Sequence, residues 1–260
     1  MTTPFNTLIA NVTPCPETGN GCYTATLSKD WLQGRAAFGG LMSALADAAL
    51  RQELERLDTV STDTDSNLAQ RPLRSMMTAF VGPAGEGKVD IRCELLRSGK
   101  SVTWFEVRIT QQGKTCTTVT AALGGARPST ITVAPASKPD LPAPDSCEAM
   151  PFIEGITPNF TQHFEMRWAL GKMPFAGATE PRMAVWVRFR NAPDFSEPHL
   201  VAIMDVLPPA VLPMFKEIKP ISSLTWNLEV LDSLQPSDVA YNDGWWLFDV
   251  SADASADGYS

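Results

Sequence analysis

The sharpest chemical possibility in this 260-residue chain rests on Asp205 and Ser223. Asp205 stands between Met204 and Val206 in the apolar run HLVAIMDVLPPAVLPMF (199–215), just before Pro208 and Pro209. A carboxylate in such a run has few local partners and needs a hydrogen bond or a water to be tolerated. Partial desolvation raises its pKa and makes it a usable general base. Ser223 opens the strand-like run SSLTWNLEVL (222–231) and could orient the same water. Asp47 is a second carboxylate in apolar surroundings: either it pairs with Arg51 one turn on, or it is a working carboxylate on a buried helix. His163, alternating with Phe164 beside Glu165, reads as a sheet histidine, and His199 marks the start of a helix. These are the only two histidines and no GxSxG elbow exists, so a Ser-His-Asp hydrolase of that type has little support. Walker A and GxGxxG sequences are absent, and five widely spaced cysteines without a CxxC pair read as reduced thiols.

The elements that must position these groups are organised around FGGLMSALADAALRQELERL, from Phe38 to Leu57. From Leu41 to Leu50 only Ser43 and Asp47 interrupt an apolar surface, and with Arg51 they form one narrow polar line at i, i+4, i+8. A helix apolar nearly all round belongs inside a fold. Its alanines admit close packing, and Gly39 and Gly40 let the chain turn and let a ligand approach the first free N–H groups. After Arg51 the pattern turns polar, so the far end should reach solvent. Residues 59–70 (TVSTDTDSNLAQ) read as an exposed loop.

Strand-like runs follow at 22–28, 73–81, 89–97, 102–110 and 115–125. Val89, Ile91, Cys93 and Leu95 alternate with polar residues, and Thr103, Phe105, Val107 and Ile109 make one apolar face. The connections GPAGEGK, RSGKS and QQGK are hairpin-sized, which predicts antiparallel neighbours. A proline-rich stretch, 127–151, divides the chain into units 1–126 and 152–260. The second unit repeats the parts: strands at 160–170, 183–190, 222–231 and 245–252, and a helix over 199–215 that is kinked at its proline pair or made of two short pieces meeting there. The turn ADGYS (256–260) answers RSGKS (97–101). A net charge of −8 argues against a nucleic-acid partner, and no 18-residue apolar run predicts a membrane span. The N-terminal residues lack the features of a signal peptide, so a cytoplasmic protein is expected.

FGG leading an Ala-rich helix, then LRSMMTAFVGPAGEG and LLRSGKSVTWFEVRITQQGKTCTTVTAAL, resembles the first half of the TesB-like acyl-CoA thioesterases. IMDVLPPAV and SSLTWNLEVL resemble the matching half of their thioesterase-like relatives. The resemblance implies an α+β double hotdog, two long central helices each wrapped by an antiparallel sheet, with the second copy lacking its last strands. It implies hydrolysis of acyl-CoA to fatty acid and CoA without metal or organic cofactor. In that family an Asp, a Ser or Thr and a Gln hold the attacking water. The Asp falls on Asp205 and the hydroxyl on Ser223; the Gln has no counterpart, since Gln235 lies in a loop and does not match. Phe38, Gly39 and Gly40 are the expected substrate-binding residues, and Lys100 and Arg97 candidates for the CoA phosphates. An exposed sheet edge favours a homodimer or larger. A non-catalytic acyl-CoA-binding protein of hotdog fold is the alternative. A hotdog hydratase, which would pair a His with a carboxylate, ranks last because His163 has no evident partner beyond Glu165.

Overall fold

The computed structural model describes residues 2–60, 68–134, 137–192, 194–232 and 243–260. Gln235 and most of the expected loop at 59–70 lie outside the described residues. Within them the chain runs α1 (Phe5–Ala10), β1 (Thr13–Pro14), β2 (Cys22–Leu27), β3 (Leu32–Gln33), β4 (Ala36–Ala37), α2 (Gly39–Val60), β5 (Leu73–Phe80), β6 (Gly87–Ser98), β7 (Thr103–Gln111) and β8 (Lys114–Leu123). It continues with β9 (Glu148–Ala149), β10 (Phe164–Leu170), β11 (Arg182–Phe189), α3 (Glu197–Ile203), β12 (Thr225–Glu229) and β13 (Trp246–Ser251). The class is α+β, with antiparallel sheets dominating.

Helix α2 is buried continuously from Gly40 to Leu50, as its nearly unbroken apolar surface requires. Its far end reaches solvent at Glu55, Thr59 and Val60, although Glu53 stays buried, taking hydrogen bonds from the Tyr23 hydroxyl at 2.9 Å and from Arg56. The larger sheet has the order β1-β2-β6-β7-β8-β5-β12. Its inner face presents Val89, Ile91, Phe105, Val107 and Ile109 to the common core with α2. Leu95 keeps the register of that face, opposite Phe105, but lies beyond its covered part and is exposed; the bulge between Leu95 and Arg97 follows it. The β7–β8 hairpin closes through Gln112 (φ 52°) and Gly113 (φ 75°), two consecutive positive φ values of the kind that match strand twist.

Two features of the second unit differ from expectation. The expected long helix over 199–215 is only Glu197–Ile203. The chain leaves it in a turn at Met204 and Asp205, ahead of Pro208 and Pro209, whose rings and missing N–H groups cannot continue the ladder. Among the described residues there is thus one long central helix, not two. Residues 159–163 form a 3-10 turn, so His163 ends that turn rather than sitting in a strand. The second sheet has the order β13-β11-β10-β9, and β9 draws the end of the proline-rich stretch into it.

β12 does not join the second sheet. It pairs antiparallel with β5, from Thr225 opposite Ala79 to Glu229 opposite Ser75, so the larger sheet is built from both sequence units.

The segments around α1 are tied down by Trp31, fully buried, whose indole Nε1–H donates to the Thr3 carbonyl at 2.8 Å. Its ring stacks on His163 with centroids 4.1 Å apart. Trp31→Phe keeps most of the buried area but strands the Thr3 carbonyl. It is expected to cost about 1 kcal/mol and to lower the thermal midpoint by roughly 2–4 °C, read by differential scanning calorimetry.

Candidate functional site

The start of α2 and the end of α3 meet at two glycines. A Cβ on Gly40 would run into the Ala202 carbonyl and the Phe38 ring, and one on Gly39 would lie 2.6 Å from Asp205 Oδ2 and 2.8 Å from Phe80 Cζ. Only hydrogen at these positions lets helix α2 begin against the turn that carries Asp205. The Phe38 ring that fills the space beside Gly40 is fully buried and stacks on Phe160, with centroids 4.1 Å apart and planes within 2°.

Asp205 accepts a hydrogen bond from the Gly40 N–H. The first N–H groups of a helix have no partner within it, so a carboxylate there completes the bonding of α2. Burial nonetheless dominates and pushes the Asp205 carboxyl up to about 7, with the Gly40 N–H pulling the other way. A carboxyl poised near neutrality exchanges protons readily at physiological pH.

Ser223 precedes Leu224, whose carbonyl accepts the Phe80 N–H at 2.9 Å. The Phe80 ring is the one against Gly39, so the entry to β12 and the Asp205 turn flank the same end of β5. The Ser223 side chain is exposed and no hydrogen bond joins it to Asp205; its carbonyl accepts the Ser222 hydroxyl at 3.4 Å. Phe38, Gly39, Gly40 and Asp205 thus form one contact group, with Ser223 beside it. Phe80 was not singled out from sequence; the only signal was its place at the end of the strand LRSMMTAF.

The remaining candidates lie elsewhere. His163 has a carboxylate partner after all: its Nε2 is 3.1 Å from Asp30 Oδ2, not beside Glu165, which is held by Arg167 and Arg188. Burial nevertheless lowers the His163 pKa, with Asp30 opposing. Since Asp30 also accepts the Thr3 N–H, this pair belongs to the tie-down around Trp31. His199 is buried among Phe5, Phe189 and Phe195; burial pulls it down to about 4, and its Nδ1 accepts the Ser196 N–H in a cap on α3. A cavity of about 490 Å³ opens at the opposite end of β5, lined by Arg74, Ser101, Gly124 and Arg127; neither Asp205 nor Ser223 lines it, nor does Arg97 or Lys100. Among the described residues no cluster of three or more His, Cys, Asp or Glu could hold a metal ion.

Residues 27–124 match the family model of the acyl-CoA thioesterase N-terminal domain, and residues 144–260 that of the acyl-CoA thioesterase C-terminal domain. Among solved structures, a conserved protein of unknown function with hot dog fold from Alicyclobacillus acidocaldarius superposes with a TM-score of 0.76 at 19% identity, covering 98% of this chain and 88% of that one. A putative thioesterase II from Thermobifida fusca gives 0.75 at 18% identity, covering 99% and 90%. The acyl-CoA thioesterase II TesB2 from Mycobacterium marinum gives 0.69 at 17% identity, covering 96% and 86%. These likenesses show the hot dog fold. No curated protein matches the chain.

Proposed function

This chain belongs to the TesB-like acyl-CoA thioesterase family, and from that premise we propose that it hydrolyses acyl-CoA thioesters with Asp205 as the base that activates water. The observation that carries the reading is the Asp205 carboxyl, brought to about 7 and aimed by the Gly40 N–H at the mouth of α2. The Asp205 carboxylate takes a proton from water as the water oxygen bonds to the thioester carbonyl carbon. The tetrahedral oxyanion meets the helix start, where the Gly39 N–H has no carbonyl of its own helix to bond. Collapse breaks the C–S bond, and the proton held on Asp205 goes to the leaving sulfur, giving a carboxylic acid and CoA thiol.

In this reading the parts have distinct roles. Gly39 admits the thioester because a Cβ there would occupy the space beside Asp205 Oδ2. Phe38 and Phe80 wall the reacting end. Ser223, solvent-facing beside it, aims the water once substrate is in place. The acyl chain lies along the seam of β5 and β12, where Trp226 and Leu228 offer apolar surface on one face. In this reading the architecture is a pair of hot dog units divided at 127–151, residues 1–126 and 152–260, the second with the short α3 in place of a long central helix, and copies of the chain associate as a homodimer or larger. No helix among the described residues is long and apolar enough to cross a membrane.

Release of free thiol from a series of acyl-CoA chain lengths, followed with a thiol reagent, tests the assignment. Turnover that saturates with substrate supports it. Tight acyl-CoA binding without turnover favours the alternative, a binding protein of the same fold, to which the lack of a bond between Ser223 and Asp205 lends weight. Ser223→Ala is expected to lower kcat about tenfold, with KM changed less than about twofold, since the hydroxyl acts on water and not on the thioester; steady-state kinetics read both.

A further inference from the structure

The chain contains a second carboxylate placed like Asp205. Asp205 lies eight residues after Glu197, the first residue of α3, and Asp47 lies eight residues after Gly39, the first residue of α2. Each reaches the beginning of the other's helix: Asp205 meets Gly39 and Gly40, and Asp47 meets Glu197. The repeat is therefore symmetric in position and opposite in content. Where Asp205 faces two glycines and is half-buried, Asp47 faces a carboxyl side chain and is fully buried.

The surroundings of Asp47 determine its state. Among the described residues no donor reaches either of its oxygens, and the nearest cation is Arg51 Nε, 3.9 Å away on the next turn of α2. Arg51 is already engaged, one nitrogen with Glu197 Oε1 and the other with the Arg71 carbonyl at 2.6 Å. The Arg71 guanidinium points elsewhere, to the Gly99 carbonyl and the Thr103 hydroxyl. One turn back on α2, Ser43 shares its hydrogen bond with Thr78 of β5 at 3.3 Å. Ionised, Asp47 would be a bare buried charge facing a second carboxylate; protonated, it has an O–H to give and Glu197 to receive it.

We propose that Asp47 and Glu197 are a carboxyl pair sharing one proton, and that this pair positions Asp205. Glu197 holds three elements together: α3 to which it belongs, α2 through Arg51, and β5 through the Leu73 N–H, which it accepts at 3.0 Å. These are the elements whose other ends carry Asp205, Gly40 and Phe80. The proton on Asp47 keeps repulsion out of the joint, so α3 stays in register along α2 and the Gly40 N–H meets Asp205. Loss of that proton drives the two carboxylates apart, and the displacement is felt at the far end of α3. The positioning half of the proposal rests on the catalytic reading of Asp205; the shared proton does not.

Infrared spectroscopy tests the proton without reference to activity. In an Asp205→Asn background, which removes the other elevated carboxyl, the carbonyl stretch of a protonated carboxylic acid is expected to persist at pH 8 and to vanish on adding Asp47→Asn. Absence of that band before Asp47 is changed overturns the proposal. Kinetics on the otherwise native chain test the positioning. Asp47→Asn mimics the protonated acid, so it is expected to lose the alkaline fall in kcat expected of the native chain above the Asp205 limb. Glu197→Gln is expected to lower kcat about tenfold with KM little changed and to move the midpoint of the ascending limb upward, as Asp205 loses the Gly40 N–H. An alkaline fall unchanged by Asp47→Asn, or a Glu197→Gln effect on KM alone, overturns the positioning role.

Discussion

Asp205→Asn is expected to lower the rate of thioester hydrolysis about 100- to 10,000-fold, the range for removing a general base. Asn keeps the shape of Asp and can still accept the Gly40 N–H through its amide oxygen, so the fold around the glycine pair survives. What disappears is the site that takes the proton from water. The native rate should rise with pH through about 7 as the carboxyl ionises, and the residual rate of the variant should lack that limb. Stability should move the other way. A carboxyl whose folded pKa lies above its unfolded value contributes stability that is full below the unfolded pKa and is lost as pH rises through the folded one. At pH 8 the native protein therefore bears the cost of a partly desolvated charge that Asn does not carry, and the variant should melt higher. Thiol release and calorimetry at pH 6 and pH 8 read both effects; a variant that hydrolyses at the native rate removes Asp205 from the chemistry.

Gly40→Ala should be nearly as damaging, by a different route. The added methyl meets the Ala202 backbone carbonyl on one side and the buried Phe38 ring on the other. Neither can swing away as the end of a flexible side chain would: the carbonyl belongs to α3, and the ring is stacked on Phe160. Overpacking of this kind costs about 1–3 kcal/mol. Relief comes from splaying α3 off α2, and that lengthens the bond from the Gly40 N–H to Asp205. A displacement of order 1 Å in a reacting group costs about 100-fold in rate. Losing a donor to the ionised form also raises the carboxyl pKa further, so the ascending limb should shift above 7. A fall in stability with an unmoved pH midpoint would show that the glycine serves packing alone.

Much of this arrangement was legible from residue types. Helix α2 announced itself because an apolar surface from Leu41 to Leu50 is a local property of the chain, and the strands of the larger sheet followed from period two and short turns. Asp205 stood out because an acid between Met204 and Val206 is anomalous wherever the chain goes. The proline pair marked an interruption in the 199–215 run, but the apolar pattern continues across it and does not show that the first piece stops at Ile203, with only a 3-10 turn at Leu212–Met214 beyond. Leu95 has the inward register, opposite Phe105, yet is exposed, because alternation gives the face of a residue and not how far the covering elements extend. Pairings across long stretches of sequence were invisible: nothing near His163 indicates Asp30, and nothing near Asp47 indicates Glu197. Sequence placed Asp47 beside Arg51, which is so, but the guanidinium is engaged with Glu197, and only the fold reveals that competitor.

The pairing of β12 with β5 ties assembly of the reacting end to the closing stages of folding. The Ser75 hydroxyl donates to Glu229 across 154 positions of chain, a contact whose loop must be closed before it returns any stabilisation. Until then the strand from Leu73 to Phe80 is a bare hydrogen-bonding edge, open to the wrong neighbour. A polypeptide interrupted between the two segments would lose both the mate that shields this edge and the turn bearing Asp205, so competence and protection from aggregation arrive together.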